Sequence, residues 1–227
     1  MSSLSSRLPT LAVLATGLLA LGFSLAFFVA PDDADQGFSY RIFYAHVPIV
    51  LTSYALFVWG AWKAFRHLQT KRENYDLESY VAIHLGVIFG TLTLLTGSVW
   101  AKISWGHFWL WDQKQLVLFL VLFLFYCAYF MLRFSVEDGP QRVNLSAVYA
   151  VFGAVLIPVS SLAIRLLPKN ANQNHPVMNG LNFHGWIRIT FLICLAGMLL
   201  LAASLYHLEL LGKRLDVRLR ELREETA

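Results

Sequence analysis

Charge and cysteine are both scarce in this chain. Only 14% of its 227 residues are charged, against about 25% in an ordinary soluble domain. The two cysteines, Cys127 and Cys194, sit inside apolar runs. Neither belongs to a C-x-x-C or C-x-x-C-H pattern, which argues against a cysteine-built zinc site and against a thioether-linked prosthetic group. Both read as small buried side chains. There is no internal repeat and no low-complexity linker. The net charge of +4 gives no reason to expect nucleic acid, because basic residues on a hydrophobic chain are first of all a record of membrane orientation.

Apolar sequence is abundant, at 57% of residues. A bilayer core of about 30 Å needs roughly 20 apolar residues per helix, and six runs qualify: Thr10–Ala30, Val47–Phe65, Ser79–Ala101, Leu116–Phe134, Ala147–Leu167 and Ile187–His207. They predict an all-α polytopic membrane protein, a six-helix bundle forming one domain over residues 1–227. The first run reads as an uncleaved anchor. It is too long for a signal-peptide core, and Pro31 follows Ala30 where cleavage would fall. Gly86 and Gly90 form a G-x-x-x-G in the third run, which serves either close packing within the chain or a subunit interface. Pro158 should kink the fifth run by removing a backbone donor.

With the N-terminus inside, the inner segments hold twelve Lys and Arg: Arg7; Lys63, Arg66, Lys71, Arg72; Arg133, Arg142; Lys213, Arg214, Arg218, Arg220, Arg223. The outer segments hold six: Arg41, Lys102, Lys114, Arg165, Lys169, Arg188. This bias predicts that both termini are cytoplasmic. The run KRLDVRLRELREE, in the charged tail over 208–227, is then the solvated end of the last helix or a docking surface for a cytoplasmic partner.

The same topology sorts the histidines. His67 and His207 fall inside, and His84 reads as a helix-contact residue within the third span. His46, His107, His175 and His184 fall outside. So does WGHFWLWDQK (Trp105–Lys114), which holds three of the seven tryptophans. With Trp100, four indoles crowd the outer loop at about 100–115. If this loop is helical, Trp105, Phe108, Trp109 and Asp112 share one face, and a short tryptophan-rich interfacial helix lies between spans three and four. An aromatic belt would scatter its tryptophans over many helix ends. Such crowding beside an Asp–Lys pair suits a platform for a large flat ligand.

Outer histidines can offer imidazole nitrogens to a metal at the centre of such a ligand, and basic residues at the rim can hold its carboxylates. Haem meets all three demands. His46 opens the second span in SYRIFYAHVP, with Pro48 suited to a first-turn position and Arg41 five residues upstream. A second ligand would come from the loop between spans five and six, where His175 (NQNHPVM) and His184 (LNFHGW) are both candidates.

APDDADQGFSYRIFYAHVP (Ala30–Pro48) and TGSVWAKISWGHFWLWDQK (Thr96–Lys114) together resemble the tryptophan-rich WWD family of haem-handling proteins of cytochrome c maturation, and within it the CcmC, or haem exporter protein C, family. The resemblance runs from about Ala30 to the sixth span. It implies a protein of the bacterial cytoplasmic (inner) membrane that binds haem b transiently and non-covalently at its periplasmic face, between two axial histidines. Such a protein hands haem to a CcmE-like haem chaperone, working in the lipid bilayer with ABC-transporter subunits CcmA and CcmB and the small subunit CcmD. It delivers haem rather than catalysing bond formation.

His46 matches the family's first axial histidine, and Arg41 its arginine after Ser-Tyr. His175 followed by Pro176 fits the second histidine, with His184 as the alternative. Trp100, Trp105, Phe108, Trp109, Trp111 and Asp112 would form the haem-binding segment, with Arg41 and Lys114 on the propionates. Asp112 would orient Lys114 or cap the following helix. Three departures stand out. Lys114 replaces the usual Arg and lacks its fork. Phe108 stands where Trp is common. KNANQN, with its Asn-rich stretch over 170–174, looks like an insertion that moves His175 away from Pro158.

Three rivals remain in view. A CcsA-type cytochrome c haem channel or synthetase shares the Trp-Asp-x-Lys ending but is generally longer. A b-type electron-transfer cytochrome needs histidine pairs at mid-membrane depth. A transporter permease subunit without a haem site leaves the tryptophan loop unexplained.

Overall fold

The computed structural model describes residues 8–34, 36–166 and 185–225. Its helices are α1 (Leu8–Phe28), α2 (Phe43–Thr70), α3 (Glu73–Trp105), α4 (Lys114–Ser135), α5 (Pro140–Gly153), α6 (Leu156–Leu166) and α7 (Gly185–Glu225), with a 3-10 turn at Phe38–Ile42. Six helical stretches are long and apolar enough to cross a membrane, the broken pair α5–α6 supplying the fifth. Among the described residues there is no β-strand, only an isolated bridge between Asp33 and Gly37. The protein is an all-α, multi-pass membrane protein, as its hydropathy predicts. His175, His184 and the KNANQN stretch lie outside the described residues.

Small residues bring the central helices together. On α2, a Cβ at Gly60 would come within 2.7 Å of Ile83 on α3, and a Cβ at Gly86 within 2.7 Å of the Phe57 ring. Ser53 Oγ donates to the Gly86 carbonyl at 3.0 Å, and Ser79 Oγ to the Gly60 carbonyl at 2.8 Å. Gly90 faces Phe123 and Ser53. The G-x-x-x-G therefore serves packing within the chain, since both glycines are buried by its own helices. Close approach of this kind replaces the hydrophobic drive that lipid cannot supply. The first helix packs chiefly on α7, where Gly22 meets Cys194 and Gly197 meets Leu19. Cys194 is thus a small buried side chain, as expected.

At the end of the bundle opposite Trp105, Trp109 and Trp111, ion pairs tie four helices. Arg133 (α4) donates to both Asp76 (α3) oxygens at 2.8 and 2.6 Å. Glu78 (α3) pairs with Lys63 (α2) at 2.7 Å and Arg214 (α7) at 3.1 Å. His84 Nδ1 lies 2.9 Å from Glu209 on α7, so this histidine is a satisfied helix contact. The last helix continues without interruption to Glu225, so most of the charged tail is helical.

Three details differ from the sequence reading. The second span begins at Phe43, because the 3-10 turn feeds straight into it, so Pro48 sits inside the helix rather than in its first turn. The fifth span is broken rather than bent. Helix α5 ends at Gly153 and α6 starts at Leu156, with tight i→i−3 bonds at Ala154, Val155 and Ile157, one turn before Pro158, whose missing N–H cannot reach the Ala154 carbonyl. Finally, no separate interfacial helix joins spans three and four. Helix α3 runs on to Trp105 and stops at Gly106, whose φ of 80° is the left-handed geometry that ends a helix. The Lys102 ammonium donates to the Gly106 carbonyl at 2.8 Å, and residues 107–113 follow as irregular chain with a bend and a turn.

Candidate functional site

The two segments that carry the sequence signal, 30–48 and 96–114, meet at one end of the bundle. The meeting point is an aromatic cluster of Phe43, Tyr44, Trp100, Phe191 and Cys194, closed by Ala26 and Ala30 of the first span. Phe43 stacks on Tyr40 at 4.9 Å and on Phe191 at 5.3 Å. This apolar floor fixes where the first turn of α2 stands relative to the last turns of α3.

His46 lies in that first turn and is buried, at 8% exposure. Three residues of α3 enclose its ring. Thr96 Oγ1 lies 2.7 Å from Nδ1. Gly97 passes so close that a Cβ there would stand 3.0 Å from His46 Cε1. Trp100 meets the imidazole edge-on, with centroids 5.5 Å apart. These are successive members of the TGSVW stretch, spaced so that Thr96 and Trp100 lie one helical turn apart.

Trp100 is buried too, at 8%, so it is a wall of the histidine pocket rather than part of an open shelf. Its Nε1 donates to Gln36 Oε1 at 2.7 Å, and Ser104 Oγ donates to the same oxygen at 3.1 Å. Gln36 thereby binds the loop after α1 to the end of α3. Sequence reading missed Gln36, Thr96 and Gly97. Thr96 and Gly97 were within reach, since they fall one turn before a tryptophan already singled out. Nothing marks Gln36 in the sequence.

The remaining aromatics face outward. Trp111 and Phe108 are 74% and 60% exposed. Trp109 is half-buried and meets Trp111 edge-on at 5.7 Å, and the Lys102 ammonium sits 5.4 Å above the Phe108 ring. Trp105 closes α3. The buried Trp109 Nε1 has no hydrogen-bond partner among the described residues, which costs free energy unless an acceptor is supplied.

Asp112 is exposed. It does not cap α4, which starts at Lys114 behind Gln113 with no side-chain cap bond. It instead accepts a long 3.4 Å bond from Gln113.

Arg41 is drawn toward the first helix. Its Nη1 pairs with Asp32 at 2.8 Å and donates to the Pro31 carbonyl at 3.1 Å, while Nη2 donates to the Ala30 carbonyl at 2.9 Å. Its guanidinium also lies 5.4 Å from the Phe38 ring centroid. Among the described residues its Nε is buried and finds no acceptor.

The donor set suits a planar metallated ligand with carboxylate arms. It contains one buried imidazole, flat exposed aromatic surface, an orphaned indole N–H, an orphaned guanidinium N–H, and Lys114 at the start of α4. Among the described residues no group of three or more His, Cys, Asp or Glu could hold a bare metal ion.

Comparison with known proteins identifies the family. Heme exporter protein C of Bradyrhizobium diazoefficiens is 34% identical over 159 residues, covering 69% of this chain and 59% of the relative. Heme exporter protein C of Escherichia coli K12 is 32% identical over 152 residues, covering 67% and 62%. The Paracoccus denitrificans protein of the same name is 27% identical over 197 residues, covering 86% and 80%. The chain thus spans about three fifths of the length of the first two relatives. The model of the CcmC family, described as heme exporter protein C, matches residues 1–227, and the chain belongs to that family.

Proposed function

We propose that this protein handles haem for the maturation of c-type cytochromes. It would hold haem b as cargo at the outer, periplasmic end of the bundle and present it to a CcmE-like chaperone. On this reading His46 is one axial ligand and His175 the other, with His184 as the alternative. Trp105, Phe108, Trp109 and Trp111 cover a face of the macrocycle. Lys114 and Arg41 meet the propionates, and the Trp109 indole N–H is a further donor to them. Asp112 stands beside Lys114 at the rim.

The observation that carries the proposal is the juxtaposition of a buried, oriented imidazole with exposed indoles at one end of a membrane bundle. A site made from helix ends and an irregular segment stays open at the side, which a cargo site needs for handover. Both termini would lie in the cytoplasm of a bacterium, and the protein would work with ABC-transporter subunits CcmA and CcmB and with CcmD. What haem brings is an iron that accepts two nitrogen ligands, and two carboxylates that accept hydrogen bonds. The residues named here bind it, exclude water from one face and fix its edge.

The test is the absorption spectrum of the detergent-purified protein, oxidised and then reduced, beside His46→Ala, His175→Ala and His184→Ala. A bis-histidine haem spectrum that weakens or shifts in His46→Ala and His175→Ala, and not in His184→Ala, supports the assignment. Wild-type protein that stays free of haem, even when haem and the partner subunits are supplied, sinks it. The tryptophans would then be an interfacial belt.

A further inference from the structure

The hydrogen-bond geometry around His46 determines more than its position. Thr96 Oγ1 lies 2.7 Å from the carbonyl oxygen of Leu92, with a second carbonyl, that of Thr93, at 3.4 Å. Both neighbours accept only, so the hydroxyl proton points back along its own helix, a common arrangement for a threonine one turn on. A hydroxyl has one proton. With it committed to a carbonyl, the 2.7 Å contact between Thr96 Oγ1 and His46 Nδ1 needs its proton from the imidazole. The reverse assignment would set two acceptors, Oγ1 and the Leu92 oxygen, 2.7 Å apart with no hydrogen between them.

We infer that Thr96 is a positioning residue that holds neutral His46 as its Nδ1–H tautomer, so that Nε2 carries the lone pair. The inference rests on the proposed role of His46 as an iron ligand for its purpose, though not for its geometry. In water a neutral histidine side chain favours the opposite tautomer, with the proton on Nε2, so the protein has to impose this one. Gly97 and Trp100 complete the device. The glycine allows the ring to approach α3, and the indole edge limits its rotation.

The choice of acceptor has a chemical consequence. A ligating histidine is commonly oriented by a carboxylate or a backbone carbonyl, which also raises its basicity. A threonine oxygen whose own proton is engaged accepts more weakly than a carboxylate. It orients the ring with little added electron donation to a metal, which suits a site that must release what it holds.

The experiment uses full-length protein, labelled with 15N-histidine and purified without haem into nanodiscs. His46→Gln identifies the His46 ring signals. The expected result is a protonated Nδ1 and an unprotonated Nε2 in wild type and in Thr96→Ser, which keeps the hydroxyl. In Thr96→Val, which keeps the shape and removes the acceptor, the ring should turn to Nε2–H or to a mixture. Haem titration of the same samples should show an affinity loss of about 10–100-fold for Thr96→Val, the usual effect of removing such a support, with Thr96→Ser close to wild type.

A protonated Nε2 in wild type overturns the inference, as does a Thr96→Val ring with the wild-type tautomer. If the tautomers behave as expected but His46→Gln binds haem like wild type, the tautomer assignment stands and the haem role of His46 is what fails.

Discussion

Adding one methyl group at Gly97 tests the histidine pocket directly. In Gly97→Ala the new Cβ would stand 3.0 Å from His46 Cε1 and 3.7 Å from both ring nitrogens. Ordinary carbon contacts begin at about 3.5 Å, so the ring must retreat from α3 by roughly half an ångström. Thr96 is on the same helix, so its 2.7 Å contact with Nδ1 stretches to the edge of hydrogen-bonding range, about 3.2 Å. Overpacking costs about 1–3 kcal/mol, while replacing a helical glycine by alanine returns about 1 kcal/mol. The net folding cost is therefore about 0–2 kcal/mol.

The ligand effect is separate from that cost. Weakening the hydrogen bond on the proposed iron-binding ring by up to about 1 kcal/mol should lower haem affinity by up to about fivefold, less than its outright removal in Thr96→Val. The assay pairs a thermal melt in detergent with a haem titration followed by absorbance. Gly86→Ala is the control. Its Cβ would meet two Phe57 ring carbons at 2.7 Å, so it should lower the melting temperature while any folded fraction binds haem normally. If Gly97→Ala keeps wild-type haem affinity and unshifted His46 ring signals, the ring does not pack against Gly97 and the pocket as described is wrong.

Four other single substitutions and one double variant probe the rest of the structure. Trp100→Ala should destabilise the fold by about 3–5 kcal/mol, as removal of a buried tryptophan does. Trp111→Ala, at an exposed position, should change stability by no more than about 0.5 kcal/mol yet weaken haem binding, and equal effects on melting would contradict their different burial. Asp76→Ala leaves the Arg133 guanidinium without its two short bonds and should cost about 3–5 kcal/mol, measured by the melt. The double variant Asp76→Ala/Arg133→Met should regain part of that loss. Gln36→Leu removes the acceptor shared by Trp100 Nε1 and Ser104 Oγ. It should cost about 1–3 kcal/mol and speed proteolytic cleavage in the loop before the 3-10 turn, and unchanged cleavage would show that Gln36 does not anchor that loop.

Much of this protein can be read without coordinates, because membrane helices are specified locally. Twenty apolar residues in a row have few alternatives, so every predicted span has its helix, and Pro158 marks the broken one through its own missing donor. The crowding of Trp105, Trp109 and Trp111 is equally visible, as is the coincidence of His46 with the same end of the bundle. The boundaries err in a consistent direction. Polar and charged residues continue α2, α3 and α7 past the apolar core, where hydropathy falls silent although the backbone still prefers to be helical.

The tertiary structure decided whatever depends on how one helix is rotated against another. His46 and Thr96 are fifty residues apart in the chain, and their bond exists because α2 and α3 pack at one rotation, with Gly97 passing close beside the ring. The same packing turns Trp100 inward as a wall and leaves Trp111 outside, although the two indoles look alike in sequence. It binds Gln36 to Trp100 and draws Arg41 toward the end of the first helix, distances that no periodicity encodes. Composition and hydrophobic pattern were enough to determine a six-span protein with a tryptophan-rich segment between spans three and four. The burial and orientation of His46 come from contacts between helices, which only packing can set.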